Sequence, residues 1–151
     1  MRKKLIENKL TQVIDDVNLV SENLPDNFNE FKVMGLAKDG IYKRLESAIE
    51  SILDVCAIIN SDLGLGMPEA EENILDNLEF KKIFDKKILD LIKEMKKFRN
   101  ILVHRYGKIN DETAFEDIKE GSKDFELIIE ETERFLEKHK ARLNNRNGKK
   151  K

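Results

Sequence analysis

Apolar residues recur at intervals of three and four positions along most of this chain, and only two prolines interrupt them in 151 residues. Such spacing places the apolar side chains on one face of an α-helix. The first run is lined by Leu5, Ile6, Leu10, Val13, Ile14, Val17 and Val20. No stretch shows the strict alternation of a half-buried strand. We therefore expect an all-α fold, an antiparallel helical bundle of four to five main helices.

Breakers and capping residues divide the pattern. Helical segments are predicted at about residues 3–22, 28–60, 68–78, 85–105 and 111–139. Gly35 and Gly40 predict a kink or short break in the second segment. Asn110 and Asp111 are suited to cap the last helix, and Gly107 sits where a helix C-cap is expected. Asp85 is the predicted N-cap of the helix that follows it.

The chain has the length of one domain, which we place at residues 1–141. The remaining segment, 142–151, is basic and polar, and it is predicted to be disordered. A single cysteine excludes an intrachain disulfide, and the apolar neighbours of Cys56 indicate a packed, reduced thiol. No stretch resembles a signal peptide or reaches the roughly 18 apolar residues of a membrane span. These features predict a soluble cytoplasmic protein without a membrane partner.

Charge is distributed unevenly although the net charge is only −2. Residues 81–106 carry nine Lys or Arg against three acids, and residues 109–137 carry three against eleven. The net charge argues against a general nucleic-acid coat protein, whereas the local excess permits an anionic ligand such as a phosphate backbone. Solvated helix faces of opposite sign explain the same pattern, so charge alone does not establish RNA binding.

The helix predicted at 85–105 carries the most informative polar residues. Its apolar stripe consists of Ile88, Leu91, Ile92, Met95, Phe98 and Leu102. Arg99 and Tyr106 fall within that stripe, where a guanidinium is costly unless it is paired or lines a cleft. Asn100 and His104 share a second face, rotated from Arg99. One centre using both Arg99 and His104 needs a distorted last turn or a second copy of the helix, as in a symmetric dimer.

These residue types suit metal-free cleavage of RNA by its own 2′-hydroxyl. His104 could move a proton near neutral pH, and Arg99 could stabilise charge on the phosphate oxygens. Asn100 could hold the phosphate or ribose, and Tyr106 could stack on a base. Structural alternatives stay open at this point: an ion pair for Arg99, a solvated cap for His104 and simple packing for Tyr106.

A resemblance narrows these alternatives. Residues 99–106 (RNILVHRY) resemble the motif of HEPN-domain toxins of the HepT-like group: Arg, four residues, His, any residue, Tyr. Residues 40–56 (GIYKRLESAIESILDVC) resemble the second helix of that group. Residues 63–68 (LGLGMP) and 106–111 (YGKIND) resemble its loops. The likeness runs in order from about residue 30 to 137, and the motif shows no departure.

The resemblance implies a metal-independent endoribonuclease that needs no cofactor and acts as a homodimer, with the motif helices lining a cleft between protomers. Arg99 and His104 match the catalytic pair of the family, and Asn100 matches the polar position after the arginine. A minimal nucleotidyltransferase is the implied antitoxin partner, adding AMP to Tyr106. Glu50 and Asp54 are weaker candidates to orient the arginine, because Asp54 would lie opposite the apolar stripe of its helix.

Two other functions remain. The first is a non-catalytic HEPN subunit that holds a nucleotide or substrate for a nucleotidyltransferase. The second is a purely structural dimeric bundle in which Arg99 is an ion pair.

Overall fold

The computed structural model describes residues 1–67, 71–104 and 106–149, with side chains given for 1–67, 73–104 and 107–140. These residues form six α-helices, one 3-10 helix and no strand. The helices are α1 (Lys3–Asn23), α2 (Phe28–Lys32), α3 (Leu36–Asp62), α4 (Glu71–Phe80), α5 (Lys86–His104) and α6 (Asp111–Lys149), with the 3-10 helix at Tyr106–Lys108. The predicted all-α class is confirmed.

Helices α1 and α3 form the largest helix pair of the bundle, and they run antiparallel. Ion pairs join them in opposite chain order: Arg2 with Asp62 at 2.9 Å, Lys9 with Asp54 at 2.9 Å and Arg44 with Asp16 at 3.1 Å. Buried Ile6, Leu10 and Val13 of α1 supply the apolar side of this interface. Burial of such side chains is the main stabilising contribution.

Helices α5 and α6 complete the bundle. A cavity is shared by Leu45 of α3, Met95 of α5 and Phe125 of α6, so these helices meet near their centres. Helix α2 closes one end, where the Phe31 ring lies 5.2 Å from that of Phe115. The end of α5 lies at this same end of the bundle, beside the beginnings of α3 and α6. This corner carries the predicted motif.

Glycine geometry explains the break between α2 and α3. Gly35 has a φ of +63°, which favours glycine, and it immediately precedes α3. The break predicted near Gly35 is thus confirmed. Gly40 lies inside α3 and produces no break, because the strongly apolar face of that helix continues through it.

Helix ends follow the predicted capping residues in part. The Oδ1 atom of Asn110 accepts a hydrogen bond from the backbone N–H of Thr113 at 3.1 Å, which confirms Asn110 as the α6 cap. Helix α5 begins directly after Asp85. Gly107 is not a helix C-cap with positive φ, because it lies within the 3-10 helix.

Two predicted helix boundaries need correction or fall outside the description: the end of α6 and the start of α4. Helix α6 does not end near residue 139 but continues to Lys149, so the backbone of residues 142–149 is helical instead of disordered. Lys140, Ala141, Arg142 and Leu143 are strong helix formers and account for the helix passing residue 139; the asparagines and the glycine that follow do not favour its continuation to Lys149. Pro68, the predicted start of α4, lies outside the described residues.

Cys56 is buried in the core, and burial raises the pKa of its thiol to about 12. The packed, reduced thiol predicted from its neighbours is therefore confirmed. None of the helices in the described ranges combines the length and apolar content that crossing a bilayer would require.

Candidate active site

Helix α5 presents a buried apolar stripe on which Arg99 interrupts the pattern. Ile88, Ile92, Met95 and Leu102 of this helix are buried. Arg99 is half-buried, and its Nε atom is shielded from solvent. The sequence prediction that Arg99 lies on the buried side of the helix is confirmed. A guanidinium in such a partly dehydrated setting acts more strongly on a nearby anion.

His104 and Asn100 point away from Arg99. At about 100° per residue, the five-residue step from Arg99 to His104 corresponds to a rotation of about 140°. Asn100 and His104 differ by only about 40° and share a face. His104 is the last residue of α5 and is exposed, whereas Asn100 is half-buried. Within one chain the helix thus brings Asn100 and His104 together and leaves Arg99 on another side.

Tyr106 lies in the 3-10 helix that follows α5, which puts its backbone two residues beyond His104. The Tyr106 backbone therefore lies at the same end of the bundle as His104. Its side chain and residue 105 lie outside the described residues, so the stacking role stays a prediction.

An open cleft lies directly beside the motif. It has a volume of about 510 Å³ and separates the beginning of α3 from the end of α5. Its walls include Tyr42, Lys43 and Glu46 from α3 and Leu102 and Val103 from the motif. A polar wall facing an apolar wall is typical of small ligand sites.

A part-buried network, which the sequence did not reveal, connects the segment after the motif to α3. The Asp111 carboxylate accepts hydrogen bonds from the Tyr42 hydroxyl and from Lys38 Nζ, the latter at 2.8 Å. Burial opposes ionisation of Asp111, but the bonds from Lys38 and Tyr42 and the charge of Lys38 outweigh it, so the pKa of Asp111 is lowered. From sequence, Asp111 was visible only as a helix cap. Lys38 and Tyr42 carry no local signal, since they are 73 and 69 residues away.

The two acids proposed to orient the arginine lie elsewhere on α3. Asp54 forms its ion pair with Lys9 of α1 at 2.9 Å, and this differs from the predicted partner Arg99. Asp54 faces α1 because it lies off the apolar stripe of α3, as its sequence position had indicated. Glu50 is exposed on the same helix, and its role stays a prediction. Among the described residues, no three His, Cys, Asp or Glu side chains are grouped to hold a metal ion.

Comparison with known proteins identifies the family. The family model described as ribonuclease HepT-like matches residues 11–132, which is most of the chain. The chain belongs to the HepT-like ribonuclease family.

Relatives are similar over nearly their whole length. A putative RNase of Archaeoglobus fulgidus is 25% identical over 138 residues, covering 91% of this chain and 98% of the relative. The mRNA nuclease HepT of Shewanella oneidensis is 24% identical over 126 residues, covering 83% of this chain and 94% of the relative. The HepT-like fold also appears in a solved structure, the tri-AMPylated Shewanella oneidensis HEPN toxin in complex with MNT antitoxin. That chain is 22% identical with a TM-score of 0.77, covering 86% of this chain and 97% of its own.

Proposed function

We propose that this HepT-like protein is a metal-independent endoribonuclease, the toxin of a toxin–antitoxin pair. The observation that carries the proposal is the family match over residues 11–132, which includes the Arg99–Tyr106 motif. The half-buried Arg99 and the exposed His104 on α5 support it, because they are the charge stabiliser and proton carrier that this chemistry requires.

The proposed reaction is attack of the ribose 2′-oxygen on the adjacent phosphorus. His104 accepts the 2′-hydroxyl proton, the P–O5′ bond breaks, and the 5′-oxygen takes a proton from water. The products are a 2′,3′-cyclic phosphate and a free 5′-hydroxyl. Arg99 donates to the phosphate oxygens as their negative charge grows, and Asn100 holds the ribose or phosphate.

A homodimer supplies the geometry that one chain lacks. Since Arg99 and His104 are separated by about 140° around α5, the proposed site pairs Arg99 of one copy with His104 of the other. Ile101 and Val103 support this arrangement, because they are apolar residues within the motif and are 40% and 43% exposed. Burial of these side chains against a second copy would remove apolar surface from water.

The proposed partner is a minimal nucleotidyltransferase antitoxin that adds AMP to Tyr106 in the cytoplasm. The related Shewanella oneidensis toxin is described as tri-AMPylated and in complex with its antitoxin. An AMP group on Tyr106 places a bulky anion beside His104 and excludes an RNA phosphate by volume and charge repulsion.

Arg99→Lys tests the role of the arginine because it keeps the charge and removes the two-pronged donor geometry. We expect a loss of RNA cleavage of roughly 100-fold or more with unchanged helicity and thermal stability. Arg2→Lys is the matched control: Arg2 is 55% exposed and pairs with Asp62 at the opposite end of the bundle. Full activity of Arg99→Lys, or an equal loss in both variants, would contradict the proposal.

A further inference from the structure

A second basic site lies far from the motif, between the α4–α5 connection and the later part of α6. It is a cavity of about 240 Å³. Its lining residues are Lys81, Lys82, Ile83, Glu131, Arg134, Phe135, Lys138 and His139. We call this the distal basic pocket.

The acidic residue that lines the distal basic pocket does not neutralise its positive charge. Its one acid, Glu131, forms an ion pair with Arg134 at 2.6 Å. Within the described part of the chain, no acid lies at ion-pair distance from Lys81, Lys82 or Lys138, and all three are exposed. Several cations around one cavity produce a positive potential that attracts anions.

An exposed aromatic ring lies next to one of the pocket's cations. Phe80, the last residue of α4, is 81% exposed, and the Nζ atom of Lys81 lies 5.6 Å from its ring centroid. Lys82 holds a φ of 56°, a backbone conformation that lysine rarely adopts and that is found at functional sites. Cations next to an exposed aromatic ring suit a single-stranded nucleic acid, whose phosphates pair with lysine while a base stacks on the ring.

Two of the pocket's cations belong to one side of α6. Arg134 and Lys138 are four residues apart, and residues at this spacing follow one side of a helix.

From these observations we propose that the distal basic pocket is a second RNA-binding site, which holds the phosphate backbone and one base of the RNA away from the cleavage motif. The proposal rests on the proposed function, since it takes RNA as the substrate. Helix α5 separates the two sites: from Lys86 to His104 its axis rises about 27 Å. At the 3.4 Å charge spacing of a stacked strand, about eight phosphates cover that distance. An RNA with fewer than about eight phosphates that is bound at the motif therefore cannot also reach the distal basic pocket.

Binding of a 2′-O-methyl RNA of about twenty nucleotides, which cannot be cleaved, tests the pocket independently of catalysis. We expect Lys82→Glu/Lys138→Glu to weaken binding roughly tenfold and to reduce the slope of log affinity against log salt by about 1.4. Lys119→Glu/Lys123→Glu is the matched control, because it makes the same change of charge at exposed positions in the first third of α6, away from the pocket. Equal weakening in the two double variants would overturn the proposal, since the effect would then be one of net charge.

Substitutions at Phe80 test the stacking contact. Phe80→Trp should keep the affinity, whereas Phe80→Leu should lower it roughly tenfold with the fold intact, because the ring is exposed. Equal affinity of both variants would contradict stacking of a base on Phe80. Competition by poly-glutamate as effective as by RNA would assign the pocket to acidic proteins.

Measurements of RNA cleavage show whether the second RNA-binding site or the ribonuclease activity itself is wrong. The double variant Lys82→Glu/Lys138→Glu should raise KM for long RNA and leave cleavage of short RNA unchanged. Loss of short-RNA cleavage in this variant would overturn a separate pocket. Failure of the wild-type chain to cut any RNA would count against the ribonuclease, while the binding measurements would still decide the pocket.

Discussion

Arg99 shows how one residue can combine a structural cost with a chemical use. Its guanidinium is half-buried on the apolar side of α5, where a charge is tolerated only with compensating contacts or a ligand. Its neighbours on the stripe, Met95 and Leu102, are buried and fix the helix rotation. The core packing of α5 thus determines the direction in which Arg99 points.

Asp111 holds the chain after the motif in place, and its pKa gives a prediction about pH. Because the folded-state pKa lies below the unfolded value of about 3.9, ionised Asp111 stabilises the fold above that pH. This contribution disappears as the pH falls through the lowered pKa. We expect Asp111→Asn to reduce the free energy of unfolding by about 1 kcal/mol at pH 7, measured by urea denaturation.

The difference between Asp111→Asn and the wild-type chain should vanish in strong acid, where both side chains are neutral. Glu112→Gln is the control, since Glu112 is exposed beside Asp111. An equal destabilisation at every pH would contradict the role assigned to the ionised carboxylate.

At the scale of elements, burial decides which of the α1–α3 ion pairs matters. Asp16 is fully buried and pairs with Arg44, whereas Asp54 is 53% exposed and pairs with Lys9. Removing Arg44 leaves the buried Asp16 carboxylate without its cation and with only the Gln12 amide as a donor, while removing Lys9 leaves a solvated carboxylate. We expect Arg44→Ala to lower the free energy of unfolding by about 3 kcal/mol and Lys9→Ala by less than about 1 kcal/mol.

Urea denaturation of the two alanine variants measures that difference. Adding Asp16→Asn to Arg44→Ala should recover part of the loss, because it removes the buried charge. Equal losses for Arg44→Ala and Lys9→Ala, or no recovery in the double variant, would show that burial of Asp16 is not the deciding factor.

Local signals predicted the helices well and their ends less well. The apolar stripe of α5 and the Asn110 cap are properties of neighbouring residues, so the sequence alone reveals them. The extension of α6 to Lys149 was missed because the apolar pattern ends before the helix does. Gly107 was misassigned because a 3-10 helix follows the motif and uses a different backbone geometry.

The candidate site also has features that the sequence revealed and features that it did not. The motif residues were evident from the sequence, whereas the contacts of Asp111 with Lys38 and Tyr42 were not, because they join residues that are distant in the chain. The distal basic pocket was visible only as a local excess of charge. Its cavity arises when the α4–α5 connection packs against α6.

At the scale of the whole molecule, the proposed dimer makes a prediction that one chain cannot satisfy. If Arg99 of one copy works with His104 of the other, co-expressed Arg99→Lys and His104→Ala chains form one intact site in each mixed dimer. We expect each variant alone to be inactive and the mixed dimer to recover up to half of the wild-type cleavage. Sedimentation should show a dimer in every case.

Absence of any recovery in a mixed dimer would place Arg99 and His104 of one chain in the same site. A strictly monomeric wild-type chain that cleaves RNA would also exclude the shared cleft. Ile101→Glu/Val103→Glu provides a further control, since it places charges on two exposed apolar positions within the motif and should yield monomers.

RNA cleavage in EDTA by the purified wild-type chain tests the central claim most directly, in parallel with His104→Ala. His139→Ala, at the only other histidine of the chain, is the matched control on an RNA too short to reach the distal basic pocket. We expect cleavage by the wild type and by His139→Ala, and none by His104→Ala at equal helicity. Cleavage by His104→Ala at the wild-type rate, or wild-type cleavage that disappears in EDTA, would contradict it.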